Sequence, residues 1–198
     1  MKIYTNEEIP QGSEAWFTVR LGKFTASDAQ AIASNGKGLE TLVYEKVAEI
    51  LTHKVKEAYT NDDMERGKEL EESARNAYEL ETGVVVTRVG FIERGSRVGC
   101  SPDGLIGEDG LQEIKCINDT NFVKFMVNKD IDTSHIWQMQ MQMLVSERKY
   151  CEYVVYNPNF PKPIIITRIE RDEVAIEKLR IGLEQAHIKL NEILDKVK

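Results

Sequence analysis

The sequence has little of what would tie a protein to a membrane, a disulfide scaffold or a polyanion. Its three cysteines, Cys100, Cys116 and Cys151, are odd in number and lack paired spacing. That excludes a disulfide framework and a zinc ribbon, and predicts reduced, buried thiols. His53, His135 and His187 are too scattered for a histidine metal cluster. No apolar run approaches the length needed to span a bilayer. Residues 1–8 lack the apolar core of a signal peptide, so a cytoplasmic protein with no membrane association is expected. Net positive charge is missing too: the chain carries −7, which speaks against a nonspecific polyanion binder. Internal repeats, low-complexity tracts and Pro/Gly/Ser linkers are absent. Residues 1–198 are therefore expected to form a single domain with a sizeable core.

What is there centres on residues 101–115, Ser-Pro-Asp-Gly-Leu-Ile-Gly-Glu-Asp-Gly-Leu-Gln-Glu-Ile-Lys. Leu105-Ile106 and residues 111–117 read as two short strands around a glycine-rich turn at 107–110. Side chains alternate faces along a strand, so Glu113 and Lys115 point one way and Ile114 the other. If the strands pair, Asp103 lies near Glu113. Two carboxylates and an ammonium then share one small volume. Carboxylates and backbone carbonyls are the ligands Mg²⁺ prefers. A lysine beside them can polarise an attacking water or steady developing negative charge. The plainer reading is a polar hairpin with a surface Glu-x-Lys salt bridge. Leu111, Ile114 and Ile117 favour a half-buried strand instead. Arg88, Arg94 and Arg97 precede the motif, either as a local positive field or as a solvated strand edge.

Elsewhere the pattern alternates between helix and strand. Ser13 is a candidate N-cap for a helix carrying Trp16, Val19 and Arg20 and closed by Leu21-Gly22. Residues 25–28 offer a second cap, before Ala29, Ile32 and Ala33. Thr25 or Ser27 simply capping that helix is the simpler reading; a helix start able to hold an anion is the other. Residues 39–55 and 62–81 read as helices. The second is acidic and interrupted by Gly67, which a close neighbour would justify. Residues 84–117 read as one small β-meander. Residues 122–127 return to helical spacing. Residues 136–144 alternate Met and Gln as a half-buried strand would, yet both are helix formers, and helix is the expectation. Its methionines are expected in the core and its glutamines on a polar face. Residues 150–156 and 164–169 read as strands. A last helix from near Asp172 carries a stripe through Ile176, Leu179, Leu183, Ala186, Leu190, Ile193 and Val197, expected to cover the sheet or a partner subunit.

Taken together, these residues resemble the phage lambda exonuclease family of viral recombination nucleases (YqaJ-like viral recombinases) in the PD-(D/E)XK superfamily. The resemblance covers most of the chain. Gln11-Gly12, Ala15-Trp16, Arg20-Leu21-Gly22 and Thr25-Ala26-Ser27 resemble the family's N-terminal signature. Gly67-Lys68, Glu71 and Ala74-Arg75 resemble its glutamate-bearing helix. Cys100-Ser101-Pro102-Asp103-Gly104-Leu105 and Glu113-Ile114-Lys115-Cys116 resemble its catalytic core. Trp137-Gln138-Met139-Gln140 and Tyr156-Asn157-Pro158 follow in order.

The resemblance implies an α/β fold, with a mixed central β-sheet flanked by helices and a restriction-endonuclease-like core. It implies a Mg²⁺-dependent 5′ to 3′ exonuclease acting processively on double-stranded DNA ends. Mn²⁺ would substitute, and two ions would occupy each site. A ring-shaped homotrimer, a single-strand annealing recombination partner and a phage or prophage origin in a bacterial host are also implied. Carried over by position, Asp103, Glu113 and the Ile114 carbonyl hold metal and Glu71 assists at a second ion. Lys115 activates the water and Gln138 helps position it. Arg20, Ser27 and Ser101 hold the terminal 5′-phosphate, which reverses the local reading of Ser27. The sequence departs from the family at two places. A second phosphate-binding arginine has no counterpart at Asp119-Thr120-Asn121. The carboxylate preceding the motif falls on Glu93 only by a loose alignment. An endonuclease or junction resolvase on the same core, and a catalytically silent DNA-binding protein, are the alternatives. Closed circular duplex as a substrate separates the first; the intact Asp103, Glu113 and Lys115 set disfavours the second.

Overall fold

The computed structural model describes residues 1–54 and 62–197. In chain order the elements are β1 (Lys2–Thr5), α1 (Glu14–Arg20), β2 (Phe24–Thr25), a 3₁₀ turn (Ala26–Asp28), α2 (Ala29–Ser34), α3 (Lys37–Thr52), α4 (Asp62–Thr82), β3 (Val86–Thr87), β4 (Val89–Arg94), β5 (Val98–Cys100), β6 (Gly104–Ile106), β7 (Gly110–Cys116), α5 (Asp119–Asn128), α6 (Thr133–Ser146), β8 (Tyr150–Tyr156), β9 (Ile164–Glu170) and α7 (Glu173–Val197). The expected helix end at Val55 and the side chains of Met64 and Lys68 lie outside the described residues. The helix expected over residues 136–144 is α6, and the expected α/β class holds.

The expected meander over residues 84–117 does not form one sheet. Its strands divide between a sheet ordered β1-β4-β5-β2 and a sheet ordered β3-β6-β7-β8-β9. Each is mixed: β2 runs parallel to β5, and β7 runs parallel to β8. The chain leaves the first sheet after Cys100 and enters the second at Gly104. Pro102 stands between them and has no N–H to extend a ladder. Local alternation marks strands but does not name their partners.

The larger core lies among both sheets and α2, α3, α6 and α7, and contains Phe24, Ile32, Leu111, Met139 and Leu179. A smaller cluster on the other face of the second sheet packs Ala74 and Tyr78 of α4 against Ile106, Ile114 and Val154. Helix α6 runs through the larger core with residues 139–146 all buried. Its Met/Gln alternation therefore carries no period, because a helix surrounded on every side has no polar face. The stripe of α7 packs against α2, α3 and α6 rather than over a sheet. Gly182 makes this possible: an added Cβ would collide with the Ile32 carbonyl oxygen. Val197, at the stripe's end, is exposed.

Candidate active site

The hairpin at residues 104–116 is built as its alternation demands. Gly107, at φ 51°, takes the left-handed conformation that opens the turn. Arg148 secures the turn by donating from Nη1 to the carbonyls of Gly107 and Gly110 (2.9 and 2.6 Å). Gly104 pairs with Gln112 and Leu105 with Leu111, and the Asp103 N–H extends the ladder to the Gln112 carbonyl. This register turns the Asp103 side chain back along β7, where Oδ2 accepts the Ile114 N–H at 2.6 Å. Ile114 buries its side chain against α4. Glu113 and Lys115 take the opposite face, and Lys115 Nζ donates to Glu113 Oε1 at 2.6 Å.

Glu113 is the most completely held group in the site. Its side chain is 3% exposed. Oε1 accepts from Lys115 and from Gln138 Nε2 (2.7 Å), and Oε2 accepts from Gln142 Nε2 (2.7 Å). Burial alone would lower the Lys115 pKa, but the charges of Glu113 and Asp103 and the bond to Glu113 outweigh it and raise the value above that of a free lysine. Lys115 is therefore an ammonium here. Asp103 moves up as well, well above the usual carboxylate range. Burial is the main cause, the negative charges of Glu113 and Glu71 add to it, and Lys115 and the Ile114 N–H oppose it.

Glu71, on α4, lines the same cleft but is engaged by Arg75. Arg75 Nη2 donates to Glu71 Oε1 at 2.6 Å and to the Asp103 carbonyl at 3.1 Å, tying helix and hairpin together. Among the described residues, no three His, Cys, Asp or Glu side chains stand close enough to hold an ion between them. Asp103, bonded to the Ile114 N–H, lines the cleft together with Glu113 and Ile114. Gly67 also lines the cleft. No close neighbour among the described residues justifies it, for a Cβ there would meet open space.

Arg20, Ser27 and Ser101 come together in the same cleft, whose volume is about 410 Å³. Arg20 Nη2 donates to Thr25 Oγ1 at 3.2 Å and Ser27 Oγ at 3.4 Å. Its guanidinium lies 4.1 Å from the centroid of the Trp16 ring, a cation–π stack. Trp16 Nε1 in turn donates to Ser101 Oγ at 2.8 Å. Sequence pattern puts Trp16 on its helix without assigning it to the site. The signal that could have done so is its i, i+4 spacing from Arg20, which sets both on one helix face. Gln142 escapes notice in the same way, one turn beyond Gln138.

Other expectations fall elsewhere. Glu93 does not reach the cleft; on β4 it pairs with Lys23 at 2.7 Å and accepts from Tyr4. The arginines preceding the motif do not form a field in the cleft. Arg94 binds Glu147 and the Leu144 carbonyl, Arg97 lies beside Gly22 and His187, and Arg88 is exposed. Cys116 is half-buried rather than buried. Where the second arginine is missing, Asp119 opens α5 and accepts from Asn157 and Asn159. The charge of Arg66, on α4, reaches both Cys116 and Asp119. Its Nε and Nη2 are buried without a hydrogen-bond partner among the described residues.

The model of the YqaJ-like viral recombinase domain matches residues 15–149, a span holding Arg20, Ser27, Glu71, Ser101, Asp103, Glu113, Lys115 and Gln138 of the cleft. This chain belongs to the YqaJ-like viral recombinase family. Within that family it is similar to LHK-Exo, an alkaline exonuclease from Laribacter hongkongensis. It is 34% identical to LHK-Exo solved with dAMP, with a TM-score of 0.86 over 94% of this chain and 96% of that one. A further LHK-Exo structure matches at 34% identity and TM-score 0.81, over 93% and 98%. A phage-related exonuclease from Haemophilus somnus 129PT shares the fold at 15% identity and TM-score 0.68, over 89% and 96%. No curated protein matches significantly. The family member described here is homologous to an alkaline exonuclease and carries the PD-(D/E)XK type of fold. Among its described residues, no helix is long and apolar enough to cross a membrane.

Proposed function

We propose that this chain is a Mg²⁺-dependent exonuclease. It digests one strand of linear double-stranded DNA in the 5′ to 3′ direction, leaving 3′ single-stranded overhangs for phage-type recombination. The observation that carries this reading is the arrangement of Asp103, Glu113 and Lys115 in one cleft of an exonuclease homologue.

The residues fit a divalent cation. Asp103 is crowded by burial and by two other carboxylates, and its pKa is driven up. Positive charge in the cleft relieves that crowding, and oxygen donors of this kind suit Mg²⁺. Asp103, Glu113 and the Ile114 carbonyl would hold the ion, with Glu71 serving a second. When bound, the metal supplies polarisation of the phosphate and a nucleophile at neutral pH. Lys115 keeps its proton and sets its ammonium against the negative charge that develops on the scissile phosphate. Gln138 shares Glu113 Oε1 with Lys115 and orients the attacking water. Arg20, with Ser27 and Ser101, grips the terminal 5′-phosphate through the planar guanidinium. A homotrimer and a single-strand annealing partner, acting in the bacterial cytoplasm, complete the proposal.

The test is incubation with linear duplex labelled at opposite ends, and with closed circular duplex, each with and without Mg²⁺. Release from the 5′ ends alone, only with the cation, supports the reading. Cleavage of the closed circle turns it toward an endonuclease, and no cleavage at all toward a silent DNA-binding protein. Sedimentation equilibrium tests the ring: a monomer at micromolar concentration with full processivity excludes it.

A further inference from the structure

We propose that Gln142 is a positioning residue that fixes the plane of the Glu113 carboxylate, so that one of its oxygens stays directed at the cleft. The inference rests on the metal-dependent nuclease reading above.

Gln138 and Gln142 lie one turn apart on α6, so their amides reach the same side of the helix. They divide one carboxylate between them. Gln138 donates to Oε1 and Gln142 to Oε2, each at 2.7 Å. The two oxygens differ in surroundings. Oε1 also meets Lys115, and both Lys115 and Gln138 line the cleft; Gln142 does not. Oε1 is thus the outward oxygen and Oε2 the inward one. A carboxylate on a long side chain turns easily about its last bond. A single donor on the inward oxygen, from a helix packed on all sides, stops that rotation. Oε1 is then left in place for the cleft.

The rest of the Gln142 side chain points to the same role. Gln142 is fully buried, and its Oε1 has no hydrogen-bond partner among the described residues. An apolar side chain of similar volume, such as the neighbouring methionines, would fill this space without an orphaned acceptor. What the amide adds beyond packing is the bond to Glu113. Replacing a residue that orients a metal ligand in this way typically costs about 10- to 100-fold in metal affinity or activity.

The test begins with wild type. Mn²⁺ affinity is measured by electron paramagnetic resonance without DNA, and kcat and KM on 5′-phosphorylated linear duplex at saturating Mg²⁺. Wild type that binds no Mn²⁺ and needs no divalent cation overturns the functional reading and the role of Gln142 with it. With wild type behaving as proposed, Gln142→Met should melt cooperatively and bind Mn²⁺ about tenfold more weakly. Its kcat should fall about as much, with KM for DNA unchanged. Gln142→Asn, which keeps a buried amide but withdraws it by one methylene, should show the same pattern and serves if the methionine variant does not fold. Wild-type Mn²⁺ affinity and kcat in either folded variant overturns the inference and leaves the nuclease reading standing. Failure of both variants to fold identifies Gln142 as a packing residue and also overturns it.

Discussion

The two walls of the cleft are built differently. On the hairpin wall, Glu113 is buried and takes three donors at 2.6 to 2.7 Å, while Asp103 is locked to the Ile114 N–H at 2.6 Å. On the wall formed around Arg20, the guanidinium reaches its hydroxyl partners at 3.2 and 3.4 Å, and Ser27 is exposed. Short bonds in a dry setting hold groups where charge will develop, at little cost in reorganisation. Long bonds to hydroxyls are easily exchanged for bonds to an incoming phosphate. Under the proposed function, the first wall would serve the chemistry and the second would receive the 5′-phosphate.

Substitution on the hairpin wall should have the largest effect. Asp103→Asn should weaken divalent-cation binding and abolish hydrolysis. Lys115→Ala should leave cation and DNA binding largely intact and lower the rate by on the order of 10²-fold or more. Single-turnover kinetics on linear duplex measure both, and near-normal turnover in Lys115→Ala would remove it from the reaction. The receiving wall should respond in affinity rather than chemistry. Arg20→Ala should erase most of the preference for a 5′-phosphorylated over a 5′-hydroxyl end, a loss of roughly 10- to 100-fold from charge-assisted bonds, while Mn²⁺ affinity stays as it was. Equal cutting of both ends by wild type would show that this wall reads no phosphate.

Trp16→Phe keeps an aromatic surface under Arg20 but removes the donor to Ser101. A neutral hydrogen bond contributes about 0.5–1.5 kcal/mol, so the 5′-phosphate preference should fall only a few-fold. A drop as large as that of Arg20→Ala would mean that Trp16 organises the whole wall. The smallest effect belongs to Glu93→Gln. It breaks the pair with Lys23 on the first sheet, worth roughly 1 kcal/mol or less at a partly exposed position. The melting temperature should shift slightly and the rate on duplex should not. A large loss of rate would extend the site beyond the cleft.

Much of the hairpin wall is legible in the residues alone. Asp103, Glu113 and Lys115 lie within a few residues of one turn, and period-two alternation settles which of them share a face. Gln142 is equally accessible through its spacing from Gln138. It escapes because glutamines alternating with methionines read as a polar face, and a helix buried all round has none. The receiving wall is less legible. Trp16 and Ser101 are 85 residues apart, and only the family resemblance groups Arg20, Ser27 and Ser101. Glu93 shows the opposite failure, a loose alignment that the fold carries away from the cleft.

Local sequence is enough to set the elements, and the chemistry within a single hairpin or helix turn. Such relations depend on backbone geometry alone: two residues per pleat, 3.6 per turn, glycine where φ is positive. Long-range packing sorts the strands between residues 84 and 117 into two sheets and lays α7 on helices. It also brings Arg20 and Ser101 into one cleft with Glu113, and Gln142 to the inward oxygen of that carboxylate. Those choices turn on which apolar faces bury one another and which buried polar groups find partners, and both are settled between segments far apart in the chain.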